Sequence, residues 1–332
     1  MHRFRNTNEK ILRLQMINRE LIRIKIVQLT YAYYQNGNKN IDTAEKELFF
    51  SLSKAYDLYN FMLALIVSLS KEAGRRLEIG QARARREGKD APSSKFAFNR
   101  FALQLADNKQ LQDFISQQKH TWDDEPEFVS KLLTRMEQTQ FYQEYMASTV
   151  DDYESDRELW RRLYRLLIQD NDDLDALLEE KSLYWNDDKQ VVDSFVLKTI
   201  KRFDEKNGPR QELLPEYDSE EEKDYARKLF RATILNADEY QRCMTEASRN
   251  WDFSRLAFMD VVIMQIAIAE MFTFPSIPLS VTINEFVELS KIYSTPRSFG
   301  YVNGMLDAIA RHLVESGKLM KQLGPKEKTE ND

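Results

Sequence analysis

Only 9 glycines and 8 prolines punctuate this chain of 332 residues. Sheet-rich folds need many tight turns, and glycine and proline supply the backbone angles those turns require. So thin a supply favours long helices joined by few loops. The better helix formers, Leu, Glu, Lys, Arg, Gln and Ala, also outweigh Val and Thr, which points the same way. The expected fold class is all-α. At 42% hydrophobic and 31% charged residues, the chain can bury a substantial core and still keep a solvated surface.

Several function classes fall away early. The single cysteine, Cys243, rules out an internal disulfide framework and a Cys-based zinc cluster. It suits a reducing compartment, so a cytoplasmic protein is expected. No apolar run of signal-peptide length follows Met1, and no stretch of about 18 uncharged apolar residues marks a membrane span. Phe61 to Leu69 comes nearest and reads as a core helix. His2, His120 and His312 are scattered without ligand-spaced neighbours. There is no glycine-rich phosphate loop, no G-x-S-x-G and no H-E-x-x-H. The run Asp170 to Asp175 lacks the central glycine and terminal glutamate of a calcium loop and reads as a helix junction. Neither catalysis, nor a cofactor, nor a metal is expected.

Charge is unevenly spread. The formal total is −6, yet residues 1–25 carry Arg3, Arg5, Lys10, Arg13, Arg19, Arg23 and Lys25 against Glu9 and Glu20, a local +5 that leaves −11 for the rest. Residues 71–101 hold nine Lys/Arg against four Asp/Glu, together with Gly74, Gly80, Gly88 and Pro92-Ser93-Ser94. This stretch reads as a basic loop or frayed helix near 74–95, either a solvated linker or a second surface for RNA phosphates.

Helical spacing begins near Ile17, with Leu21, Ile24, Gln28 and Tyr31 on one face, and Asn36-Gly37-Asn38 is a helix stop. A second helix is expected over about 43–71, three helices over 126–206, and a boundary at Asn207-Gly208-Pro209. Ser219 with Glu222 is a capping-box pattern. Arg255 to Phe272 is apolar nearly all round, as a buried helix is. Val281 to Tyr293 follows, and Phe299, Val302, Leu306, Ile309 and Leu313 mark a packing stripe on the last helix. Residues 318–332 read as a disordered polar tail.

Three blocks stand out together. The first is Asn18 to Ala32. The second holds Trp251, Arg255-Leu256 and Asp260. The third holds Ile277-Pro278, Ile283-Asn284-Glu285, Glu288-Leu289 and Lys291, followed by Tyr301-Val302-Asn303-Gly304 and Leu306-Asp307. In order and spacing these resemble the NusB family, over roughly residues 17–35 and 219–315. Glu20, Pro296 and Arg297 depart from the family's pattern.

The resemblance implies a NusB-like helical bundle of two packed subdomains. Residues 1–40 would be the basic segment and first helix, 41–218 a helical insertion, 219–317 the C-terminal helical domain and 318–332 the tail. It also implies binding of a boxA-type single-stranded RNA, jointly with the small-subunit ribosomal protein NusE. That complex lets RNA polymerase read through terminators, notably in ribosomal RNA operons. Arg19 and Arg23, four apart, would share a helix face and grip successive phosphates, with Lys25 beside them. Tyr31 and Tyr301 match family aromatics and could stack bases, although Tyr31 also lies on the apolar face. Arg297 adds positive charge beside Tyr301. Asp260 matches an acid on the partner-facing surface, and Gly304 reads as a site of close helix approach. Two other readings remain: a helical scaffold that binds only protein, and an RNA-modifying enzyme carrying a NusB-like module. The second would need a glycine-rich cofactor domain that residues 40–218 lack.

Overall fold

The computed structural model describes residues 15–37, 40–185, 187–247 and 257–322. Among them the regular elements are helical: α1 (Arg19–Gln35), α2 (Ile41–Glu87), α3 (Arg100–Ala106), α4 (Lys109–Gln117), α5 (Pro126–Glu137), α6 (Gln140–Ala147) and α7 (Tyr153–Leu163). Then come α8 (Asp172–Lys181), α9 (Lys189–Arg202), α10 (Glu220–Leu235), α11 (Ala237–Ala247), α12 (Phe258–Thr273), α13 (Leu279–Tyr293) and α14 (Ser298–Glu315). No described helix is long and apolar enough to cross a membrane. The cations at Arg3, Arg5, Lys10 and Arg13, the Trp251 to Leu256 part of the second block, and the tail from 323 lie outside the described residues.

Two compact units divide the chain. One gathers Ile17–Leu52 with Ser219–Asp332, and the other takes in Ser53–Asp218. The first is organised around α12. From Val262 to Met271 every residue of that helix is buried, Gln265 and Glu270 included, and α1, α10, α11, α13 and α14 pack against it. Asn18 caps α1 by accepting the Leu21 amide at 2.9 Å. Gly37 ends the same helix at φ +63°, a left-handed angle that costs glycine nothing. Ser219 caps α10 by accepting the Glu221 amide at 3.3 Å, while its hydroxyl donates to Glu222 at 3.0 Å. On α14, Val302, Leu306, Ile309 and Leu313 are fully buried as the spacing implies. The first of the stripe, Phe299, is exposed instead, in the opening turn of the helix. Gly304 also departs from expectation. A Cβ built there meets no heavy atom within 4 Å, so close helix approach does not account for it. Leu319 is buried and Lys321 donates to the Ile277 carbonyl at 2.9 Å, so the chain stays docked past 318.

The other unit decides one expectation and corrects another. The basic stretch from Gly74 is helix as far as Glu87. Carboxylates three and four residues from arginines support it: Glu72 binds Arg75 and Arg76, and Glu87 binds Arg83. Pro92 folds back so that its Cγ would stand 3.0 Å from a Cβ at Gly80, an approach only glycine allows without a shift. Residues 126–206 form five α-helices rather than three, because Thr139, Asp152 and Asn171 each cap a new start. Phe61 to Val67 is buried, with Phe61 stacked 4.4 Å from Trp122.

Candidate nucleic-acid interface

α1 has two different ends. Toward its start, Arg23 is 4% exposed. Its Nε and Nη2 donate to the two carboxylate oxygens of Glu270 at 2.8 and 3.2 Å, and Nη1 donates to Glu285 at 2.9 Å. Thr282 donates to Glu270 at 2.7 Å, and the Tyr225 hydroxyl donates to it as well. Burial alone would lower the Arg23 pKa, but the Glu270 bond and the charges of Tyr225, Glu270 and Glu285 raise it beyond its usual value. Burial and the facing Glu270 carboxylate likewise push the Tyr225 phenol well up. Lys25 is 1% exposed. Neither cation is open to a phosphate, which corrects the expected grip. The spacing of four that puts Arg19 and Arg23 on one face is present, but that face turns into α10, α12 and α13. Arg19 alone reaches the surface, bound to Glu221 at 3.1 Å and stacked 5.0 Å over the Tyr225 ring.

Toward its end, α1 presents aromatics. Tyr31 is 37% exposed and lies 5.6 Å from the ring of Phe258, itself 43% exposed in the first turn of α12. Tyr34 meets Phe258 edge-on at 6.0 Å. Its hydroxyl accepts from Gln265 at 2.7 Å, and that amide also donates to the Thr233 carbonyl at 2.8 Å, so the ring is held from the core. One turn back, Gln28 donates to the Tyr293 hydroxyl at 3.0 Å, which ties α1 to the last residue of α13. Beyond that joint stand exposed Arg297 and Phe299, the latter 43% exposed with the Lys291 ammonium 5.6 Å over its ring.

Tyr301 follows, half-buried, its phenol pushed up by burial and by the charge of Asp260. Asp260 is 3% exposed, so it does not face a partner at the surface, another correction. It lies in the first turn of α12, two residues after Phe258, and is buried there. Burial also raises the Cys243 thiol, which leaves less of the thiolate a nucleophile would need.

The structure therefore brings Tyr31 to Phe258 of α12 and ties α1, through Gln28, to the last residue of α13, while Arg19 and Arg23 stand toward the other end of α1. Tyr31 lies twelve positions after Arg19, about 18 Å along a helix axis. Phe258 and Phe299 were missed by the sequence reading. Both stand in first turns, where helical periodicity does not distinguish an exposed ring from a core one.

A model of the NusB family matches residues 191–311. That span begins inside α9, upstream of Ser219, and leaves α1 outside it. The Transcription antitermination protein NusB of Salinibacter ruber is 32% identical over 132 residues, 38% of this chain and 82% of that protein. The protein of the same name from Geotalea uraniireducens is 33% identical over 132 residues, 40% and 88% of the two chains. That of Dictyoglomus turgidum is 39% identical over 95 residues, 29% and 66%. No solved structure matches.

Proposed function

The chain belongs to the NusB family, and from that premise we propose that it is a transcription antitermination factor that acts by binding RNA and protein, without catalysis. The RNA is a boxA-type single strand, held jointly with the ribosomal protein NusE in a cytoplasmic complex that carries RNA polymerase through terminators, notably in ribosomal RNA operons. The observation that carries this reading is the open aromatic end of α1, where Tyr31 and Phe258 meet and where Gln28, one turn back, is tied to Tyr293, shortly before Arg297, Phe299 and Tyr301 in the chain. Unpaired bases stack on such rings, and each stack is worth about 1–3 kcal/mol. Arg297 supplies a phosphate contact, and Arg19 a weaker one, since Glu221 competes for it. Arg23, Lys25 and Asp260 belong to the core and serve the site only by holding α1 and α12 in place.

A gel shift on boxA-like RNA, with and without NusE, tests this. Tyr31→Ala and Tyr301→Ala should each weaken binding by roughly 5- to 150-fold. Arg297→Gln should lower the slope of log affinity against log salt by about 0.7, and the tyrosine changes should leave that slope alone. Undiminished affinity in both tyrosine variants overturns the placement. Tight NusE binding with no RNA shift in the wild type would leave a protein-binding scaffold.

A further inference from the structure

The last turns of α2 carry more positive charge than the helix itself can use. Between 71 and 101 stand nine cations and four carboxylates. Glu137 takes up Arg76 and Asp151 takes up Arg100 from outside the segment. A helix C-terminus accounts for about half a unit charge more. Roughly two and a half positive charges remain, on a chain whose total is −6. Near the end of the helix a single carboxylate, Glu87, is shared by Arg83 at 2.7 Å and Lys89 at 2.8 Å. Arg85 and Arg86 are exposed, and neither forms an ion pair among the described residues.

Geometry makes these charges a surface. Arg75, Ile79, Arg83 and Arg86 follow one another at spacings of four, four and three, so they share one face, and all four are exposed. From Arg75 to Arg86 that face is about 16 Å long, the reach of two to three successive phosphates. Glu72–Arg76–Glu137 and the packing of Pro92 on Gly80 brace the helix from the side, so the charges are held on a rigid rod. Five of the six cations from 75 to 89 are arginines, whose forked guanidinium matches phosphate oxygens in pairs.

We propose that this face of α2 is an RNA-binding surface that grips the phosphate backbone without reading sequence. It would add sequence-independent affinity for single-stranded RNA. The α2 surface is distinct from the interface at α1 and does not require boxA specificity.

The test uses the full chain and a fluorescein-labelled 20-nucleotide single-stranded RNA without boxA sequence, read by anisotropy across a salt series. Arg75→Gln/Arg83→Gln/Arg86→Gln should weaken binding about tenfold or more and lower the salt slope by about 2, at roughly 0.7 for each phosphate no longer neutralised. Arg75→Lys/Arg83→Lys/Arg86→Lys should keep most of the slope. Circular dichroism checks that α2 persists in both. An unchanged slope in the glutamine variant overturns the proposal. So does displacement of the RNA by polyglutamate of equal charge, which would mark an acidic protein as the occupant. The outcomes separate the two readings. Loss of boxA preference in Tyr31→Ala with the α2 slope intact touches only the first. A flat α2 result with boxA preference intact touches only the second.

Discussion

Each unit buries a cation bonded to a carboxylate, and the two pairs are built differently. Around Glu270 a guanidinium donates to both carboxylate oxygens while Thr282 and Tyr225 donate as well. Around Asp193 the cation is an ammonium. Lys189 donates to Asp193 at 2.9 Å, but it also serves the carbonyls of Ile168 and Gln169 and lies 3.3 Å from Asp175. Tyr164 donates the only other hydrogen bond the carboxylate receives among the described residues, at 2.6 Å. Burial therefore outweighs the pull of Lys189 and Tyr164, and the Asp193 carboxyl is pushed up to about 6. A fork that fits both oxygens can hold a buried carboxylate charged; a point charge divided among four acceptors holds it less firmly. The carbonyls Lys189 serves stand where the chain leaves α7 through a π-type turn at Tyr164–Ile168, so its ammonium is shared by the local backbone.

The largest way to break that contrast is Arg23→Ala. It strands Glu270 in the core, and urea unfolding should show a loss on the order of 3–5 kcal/mol. A loss under about 1 kcal/mol would mean that the guanidinium does not carry the centre. Next comes the pH dependence. The folded pKa of Asp193 is above its unfolded value, so the folded state takes up the proton first. The contribution of Asp193 to stability is then fully present below the ordinary carboxylate range and is lost as pH rises from about 4 through about 6, by roughly 3 kcal/mol. Asp193→Asn should flatten that part of the profile, and an unaltered profile would clear Asp193 of the effect. Tyr225→Phe removes one donor to Glu270 and should cost about 2 kcal/mol by the same unfolding assay. Smallest is Gly304→Ala. Nothing stands within 4 Å of the added methyl, so thermal unfolding should show a gain of about 0.5–1 kcal/mol. A loss would point to crowding that the structure does not contain.

Much of the fold was legible because its signals are local. Asn36-Gly37, Ser219 and the stripe Val302 to Leu313 each act within one or two helical turns and where the sequence suggested, although Ser219 caps the Glu221 amide and gives its hydroxyl to Glu222 instead of closing a capping box with it. The candidate site was legible in part. Tyr31 and Tyr301 could be named by resemblance, and Tyr31 is indeed open on one side. Arg23 could not be read correctly. Its partners Glu270 and Glu285 lie 247 and 262 residues away, and a spacing of four arginine to arginine says which face they share, never what that face meets. The basic stretch after Gly74 could not be decided for the opposite reason. Its glycines suggest a loop, while the carboxylates at 72 and 87 and the returning Pro92 hold it helical.

By itself the sequence determined an all-helical chain, its family, and most helix ends, since turn-residue scarcity, caps and apolar periodicity are properties of neighbouring residues. Only the tertiary structure decided which charges are sealed and which are free. That choice depends on whether a distant carboxylate arrives with matching geometry to offset the cost of burial, as Glu270 does for Arg23 and none does, among the described residues, for Arg85 and Arg86.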